Sequence, residues 1–122
     1  MLRWLYFLPA AAWAGEIFFL SITPNLELPK VSFFEADKLA HFAAYALLTA
    51  LLAGGWKYFS RHHAPLYLWR WALLALGFGA MMEVIQGTLV PYRVFDVYDI
   101  LANSLGALGA AGIATLGRKL FG

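Results

Sequence analysis

The chain has 122 residues, 62% hydrophobic and only 13% charged. The length fits one small domain, and the composition leaves too few charges to coat a water-soluble one. With a mean hydropathy of +0.68, a soluble fold would expose large apolar patches, so the bilayer is the expected solvent. The absence of cysteine excludes a disulfide scaffold, thiolate metal or iron–sulfur chemistry and a cysteine nucleophile. A net charge of +2, dispersed along the chain, argues against a nucleic-acid surface, where a basic run interleaved with aromatics is expected.

Crossing a hydrocarbon core takes roughly 20 mostly apolar residues in helix. Four stretches qualify, at about residues 4–22, 39–56, 69–87 and 97–117. The first is broken only by Glu16, the third carries Arg70 and Glu83, and the fourth has Asp99 near its start. Breakers separate them: Thr23-Pro24-Asn25 and Pro29, then Arg61-His62-His63-Ala64-Pro65, then Pro91. Ala12-Trp13-Ala14 after Arg3 and a short apolar run has the form of a secretory cleavage signal. Pro9 interrupts that run, however, and Ile17-Phe18-Phe19-Leu20 carries it past the cut, so the first span is expected to stay. The expected fold is all-α, a single domain over residues 1–122 forming a four-transmembrane-helix bundle.

Positively charged loops stay in the cytoplasm. The side shared by the termini and the middle loop holds six basic residues (Arg3, Lys57, Arg61, Arg70, Arg118, Lys119), and the other side three (Lys30, Lys38, Arg93). Both termini are therefore expected in the cytoplasm. The aromatics agree, with Trp4, Tyr6, Trp56, Tyr58, Tyr67, Trp69 and Trp71 forming an inner belt and Phe33, Phe34, Tyr92, Phe95 and Tyr98 an outer one.

In that topology all seven acidic residues, Glu16, Glu27, Glu35, Asp37, Glu83, Asp96 and Asp99, fall in the outer half. At 100° per residue, Asp37, Lys38, His41 and Tyr45 share a stripe about 100° wide on the second helix. Asp96, Asp99, Asn103, Gly106 and Ala110 share one about 80° wide on the fourth. Glu83 and Gln86 lie one to two turns below the outer end of the third span, and Glu16 lies at about the same depth on the first. Ionisable groups facing lipid cost at least a few kcal/mol each, so these are expected to face one another across an outward-opening polar pocket. Carboxylates (Glu16, Asp37, Glu83, Asp96, Asp99) outnumber the fixed cations Lys38 and Arg93 there. That excess calls for a protonated carboxyl, Glu83 and Glu16 being deepest, or a bound cation.

The bland alternative is that Gln86, Asn103 and the helix-capping Asp37 and Asp96 only hold helices together. His62-His63 reads as a solvated loop, since no acidic ligands lie near it. Ala46, Ala50 and Gly54, and Ala102, Gly106, Ala110 and Ala114, recur every four residues and allow close helix packing.

The run Asp37-Lys38-Leu39-Ala40-His41-Phe42-Ala43-Ala44-Tyr45, then Glu83-Val84-Ile85-Gln86, then Arg93, Asp96, Asp99 and Ala102-Asn103-Ser104-Leu105-Gly106 resembles the VanZ-like family. The motifs span three helices and most of the chain. The resemblance implies a small bacterial inner-membrane protein with an envelope role, the family's namesake being associated with low-level resistance to the glycopeptide teicoplanin.

Three functions compete. In the favoured one the pocket, formed by Glu16, Asp37, Lys38, His41, Tyr45, Glu83, Gln86, Arg93, Asp96, Asp99 and Asn103, binds an envelope lipid head group, a cell-wall precursor or a lipophilic antibiotic. Lys38 and Arg93 would contact phosphate or carboxylate, and Phe33, Phe34, Tyr92 and Phe95 the apolar tail. In the second, the protein is an enzyme acting on a lipid-linked phosphate, with His41 or Glu83 as general base. No cofactor is expected apart from a divalent cation in that second case, for which Asp96, Asp99 and Asn103 are weak ligand candidates. A proton or ion relay through Glu16, Glu83 and His41 is disfavoured, because the inner half offers no polar path.

Overall fold

A computed structural model describes residues 2–22, 33–59, 68–89 and 97–121. They form four α-helices, α1 (Leu8–Ile22), α2 (Phe33–Phe59), α3 (Leu68–Leu89) and α4 (Val97–Phe121), with a short 3-10 segment, Leu2–Phe7, leading into α1. Among the described residues there is no strand. Each helix, α1 taken with its 3-10 segment, contains a stretch long and apolar enough to cross a membrane: Leu2–Ile22, Leu39–Phe59, Leu68–Leu89 and Val97–Gly117. The expected all-α, four-span architecture is thus observed.

Local chemistry accounts for the boundaries. Pro9 falls in the first turn of α1, where its missing N–H is tolerated and where the backbone tightens into the 3-10 form just before it. Helix α2 starts at Phe33, six residues before the apolar stretch that opens at Leu39. Polar residues prolong a helix beyond a span wherever propensity allows, and hydropathy alone marks only the span. Helix α3 is described as far as Leu89. Asp99 lies in the first turn of α4, where the helix dipole favours negative charge.

The helices do not contribute equally. Helix α4 packs on both α2 and α3, most extensively on α2, whereas α1 packs on α2 and α3 and, among the described residues, not on α4. The centre is built from small side chains, with Ala72, Ala75, Ala107 and Ala111 fully buried. Between helices in lipid, close approach and van der Waals contact supply the association that water would otherwise drive. The tightest approach lies at Gly106, where an added Cβ would overlap the carbonyl of Phe42, so only glycine allows α4 to pass α2 there.

The peripheral helix is held by a specific contact. The Trp13 indole N–H donates to the Ala44 carbonyl at 2.9 Å, and Ala10, Ile17 and Ser21 form the buried stripe of α1. At the end bearing the termini, the Phe7 ring lies 5.7 Å from Phe59, 5.9 Å from Trp71 and 6.2 Å from Trp4. Gly55 leaves the space for it, since a Cβ there would come within 2.8 Å of that ring and 2.9 Å of the Tyr6 carbonyl.

Because the obstacle at Gly106 is backbone, Gly106→Ala is expected to lower stability by about 1–3 kcal/mol. Gly112→Ala, where an added Cβ meets nothing within 4 Å, is expected to be neutral. Thermal denaturation in one detergent, with the two variants side by side, checks the contrast.

Candidate functional site

The polar side chains of α2, α3 and α4 meet near the end of the bundle opposite the termini. Counting 1.5 Å per residue from the span ends, His41, Gln86 and Asp99 lie about 3–5 Å deep, and Tyr45, Glu83 and Asn103 about 9 Å deep. They form two layers, each with one residue from each of the three helices. Glu83 is 1% exposed, Asn103 and Tyr45 each 2%, and Gln86 and Asp99 are also buried.

His41 joins α2 to α4. Its Nδ1 lies 2.9 Å from Asn103 Oδ1, and its Nε2 lies 3.7 Å from Asp99 Oδ2. Asn103 Oδ1 can only accept, so Nδ1 carries the hydrogen of that bond. The second ring nitrogen is then directed at a carboxylate. Asp99 and Asn103 lie four residues apart on α4 and therefore stack on one face, which is what allows a single imidazole to touch both.

One turn below His41, the Tyr45 ring packs against Phe78 of α3 at 6.3 Å between centroids and lies within the electrostatic reach of Glu83. The layer closes around Gly79, where an added Cβ would come within 2.9 Å of Tyr45 Cε1 and 3.0 Å of Asn103 Nδ2. One turn further in, Thr49 is 1% exposed and its hydroxyl has no hydrogen-bond partner among the described residues. Thr88, Ser104 and Thr115 instead donate to the carbonyl four residues earlier, at 2.6–2.7 Å.

Of the residues expected to line the pocket, His41, Tyr45, Glu83, Gln86, Asp99 and Asn103 are brought together. Glu16 is not among them. It has the expected depth, about 9 Å from the end of α1, but the buried stripe through Ala10, Ile17 and Ser21 turns it to the exposed face. Three helices rather than four thus build the described site. Asp37 and Lys38 fall within α2, but their side chains lie outside the described residues, as do Arg93 and Asp96 altogether. Of the weak metal candidates, Asp99 and Asn103 share a face and Asp96 is not described. Among the described residues no group of three or more His, Asp or Glu side chains is placed to hold a metal ion.

Gly79 and Thr49 were not singled out from the sequence, although the signal was there. Thr49 continues the four-residue spacing of His41 and Tyr45 on α2, and Gly79 lies four residues before Glu83 on α3.

A family model described as VanZ/LLP1 matches residues 3–118, nearly the whole chain. The chain belongs to that family. No curated protein and no solved structure matches it. It is accordingly a multi-pass membrane protein of the VanZ type, and the layered cluster contains the described polar residues of the resembling motifs that are not on the exposed faces, His41, Tyr45, Glu83, Gln86, Asp99 and Asn103, with Gly106 beneath them at the α2–α4 crossing.

The layering separates two kinds of residue. Asn103→Ala strips a nearly inaccessible position of its partner and is expected to lower stability by about 1–3 kcal/mol. His41→Ala, at a side chain 21% exposed, lets water reach what remains and is expected to lower it by no more than about 1 kcal/mol. Denaturation of the two variants against wild type measures the difference.

Proposed function

We propose that the protein binds the head group of an envelope lipid, a lipid-linked cell-wall precursor or a glycopeptide-type ligand in a polar pocket on the outer face of the bacterial cytoplasmic membrane, contributing to antibiotic resistance. The observation that carries this reading is the convergence of six polar side chains, one from each of three helices in each of two layers, at one end only of an otherwise apolar bundle. Interhelical glue has no reason to concentrate at one depth, whereas a ligand arriving from the aqueous side requires it. In this reading Arg93 and Lys38 grip phosphate or carboxylate, the His41–Asn103–Asp99 row holds polar groups, and no cofactor takes part. The partners are membrane lipids and a lipid-linked or lipophilic ligand, not nucleic acid.

A second reading rests on the His41 geometry. A ring fixed by Asn103 through Nδ1 leaves Nε2, 3.7 Å from Asp99, as the nitrogen that could take a proton were a substrate or cation to displace that carboxylate, with Glu83 in reserve. The reaction would then be attack on a lipid-linked phosphate, with a divalent cation at Asp96, Asp99 and Asn103 offsetting the negative charge. Turnover of such a substrate by the purified protein separates the two readings.

The binding reading makes the orientation a prerequisite. Cysteines introduced at Glu27 and Val94 should react with an impermeant reagent from outside, and one at His62 should not. The reverse pattern would turn the pocket toward the cytoplasm and remove the proposed access.

With that orientation, Arg93→Ala and His41→Ala should each abolish any envelope phenotype of the protein, glycopeptide susceptibility being the first to assay, while membrane abundance stays near wild type. His41→Asn, which keeps a donor at the Nδ1 position, should retain more function than His41→Ala if the Asn103 bond carries it. His41→Gln, with its donor at the Nε2 position, should do so if Asp99 does. Loss of protein in proportion to loss of phenotype would reduce the cluster to structural glue.

A further inference from the structure

The end of the bundle bearing the termini is chemically the opposite of the polar cluster. Its described charged side chains are basic: Arg3, Lys57, Arg70 and Lys119, all exposed. Exposed aromatic residues, Trp4, Tyr6, Tyr58 and Trp69, accompany them, a combination suited to the interface where lipid head groups lie.

Above this collar, toward the membrane centre, a recess of about 290 Å³ runs between α1, α2 and α3, and its lining, including Phe7, Ala14, Leu52 and Phe78, is entirely apolar. Two lining residues, Ala11 of α1 and Leu74 of α3, are exposed, so the recess opens at the lipid-facing surface between those helices. The basic residues flank its lower end. Arg3 donates to the Phe59 carbonyl at 3.0 Å and lies 5.2 Å from that ring's centroid, Phe59 packs on Phe7, and Arg70 adjoins Trp71, which also touches Phe7. Phe7, seated by Gly55, thus ties the recess to the collar.

We propose that this recess binds an anionic phospholipid, with one acyl chain lying along Phe7, Ala11 and Ala14 and the phosphate among Arg3, Lys57 and Arg70. An apolar cavity open to a bilayer is surrounded by acyl chains, and water has no polar partner inside it. The basic collar selects the charge of the head group, as juxtamembrane basic residues do. The site stands on the recess and collar, with the collar at the opposite end from the polar cluster and Phe78 as the residue that touches both; neither proposal uses the other's ligand, so either can fail without the other.

The test is native mass spectrometry of the full chain released from nanodiscs of phosphatidylcholine and phosphatidylglycerol in equal amounts. The wild type should retain one lipid, with phosphatidylglycerol enriched about fivefold, the equivalent of one basic contact of about 1 kcal/mol. Ala11→Phe, which places a ring in the recess, should remove the retained lipid, and so should Ala14→Leu, which fills less and perturbs the fold less. Lys57→Gln with Arg70→Gln should keep a lipid but lose the enrichment.

Retention at the bulk ratio, or retention unchanged in both filled variants, would overturn the proposal. If neither filled variant folds, the enrichment and its loss in the double glutamine variant decide the matter. Protein extracted directly from cells should likewise carry phospholipid. A retained polyprenyl phosphate, or a dimer carrying no lipid, would assign the recess to another occupant.

Discussion

The crossing of α2 over α4 at Gly106 is the contact on which the polar cluster depends. With the Phe42 carbonyl lying against a residue that has no side chain, neither helix can slide or rotate about the other without backbone overlap, and the register between them is fixed. His41 precedes Phe42 by one residue, and Asn103 and Asp99 precede Gly106 by three and seven on the same face of α4. The imidazole meets both side chains because the crossing lies just beneath them. Moving the crossing by one residue would rotate α4 by about 100° and carry Asn103 and Asp99 out of reach.

This constraint also explains how an apolar bundle tolerates a buried carboxyl. Glu83 is 1% exposed in a helix of otherwise apolar character, a position that costs several kcal/mol unless polar groups surround it. Polar groups share its layer: Tyr45 from α2 lies within its electrostatic reach, and Tyr45 and Asn103 from α4 both approach α3 at Gly79, four residues before Glu83, where the missing side chain leaves the surface open. The two glycines therefore act in sequence. Gly106 sets the helices in register, and Gly79 admits the side chains that the register delivers. A methyl group at Gly79 would meet the Tyr45 and Asn103 side chains themselves, whereas one at Gly106 would meet the Phe42 backbone and force the two helices apart.

Much of this was legible in the sequence, for physical reasons. Hydrocarbon requires long apolar helices, so the four spans stood out by length and hydropathy. The stripes on α2 and α4 follow from helical periodicity, and the structure places His41, Tyr45, Asp99, Asn103 and Gly106 on facing surfaces. Glu16 was legible in depth but not in direction. Depth depends on counting residues along an axis, whereas direction depends on which neighbour the helix packs against, and α1 is apolar nearly all round. The choice of face was made by Trp13 reaching the Ala44 carbonyl, and nothing in the spacing of α1 announced it. Gly79 escaped notice for a related reason: glycine is common in membrane helices, and its role appears only when the partner side chains are seen to converge on it.

The unequal packing of the helices bears on how such a protein can hold a ligand at all. Helices α2, α3 and α4 share the alanine core and the polar layers, while α1, among the described residues, touches α2 and α3 alone and leaves an apolar recess beside itself. A site enclosed by the three tightly packed helices keeps its geometry whatever α1 does, which a row such as His41–Asn103–Asp99 requires if its hydrogen bonds are to be preorganised. Helix α1 instead borders the apolar recess, where it meets α2 and α3 among the described residues. The polar layers and the apolar recess are thereby built on different sets of helices, and the Trp13–Ala44 hydrogen bond, made by a side chain to an α2 carbonyl only one residue from Tyr45, lies where the two parts join.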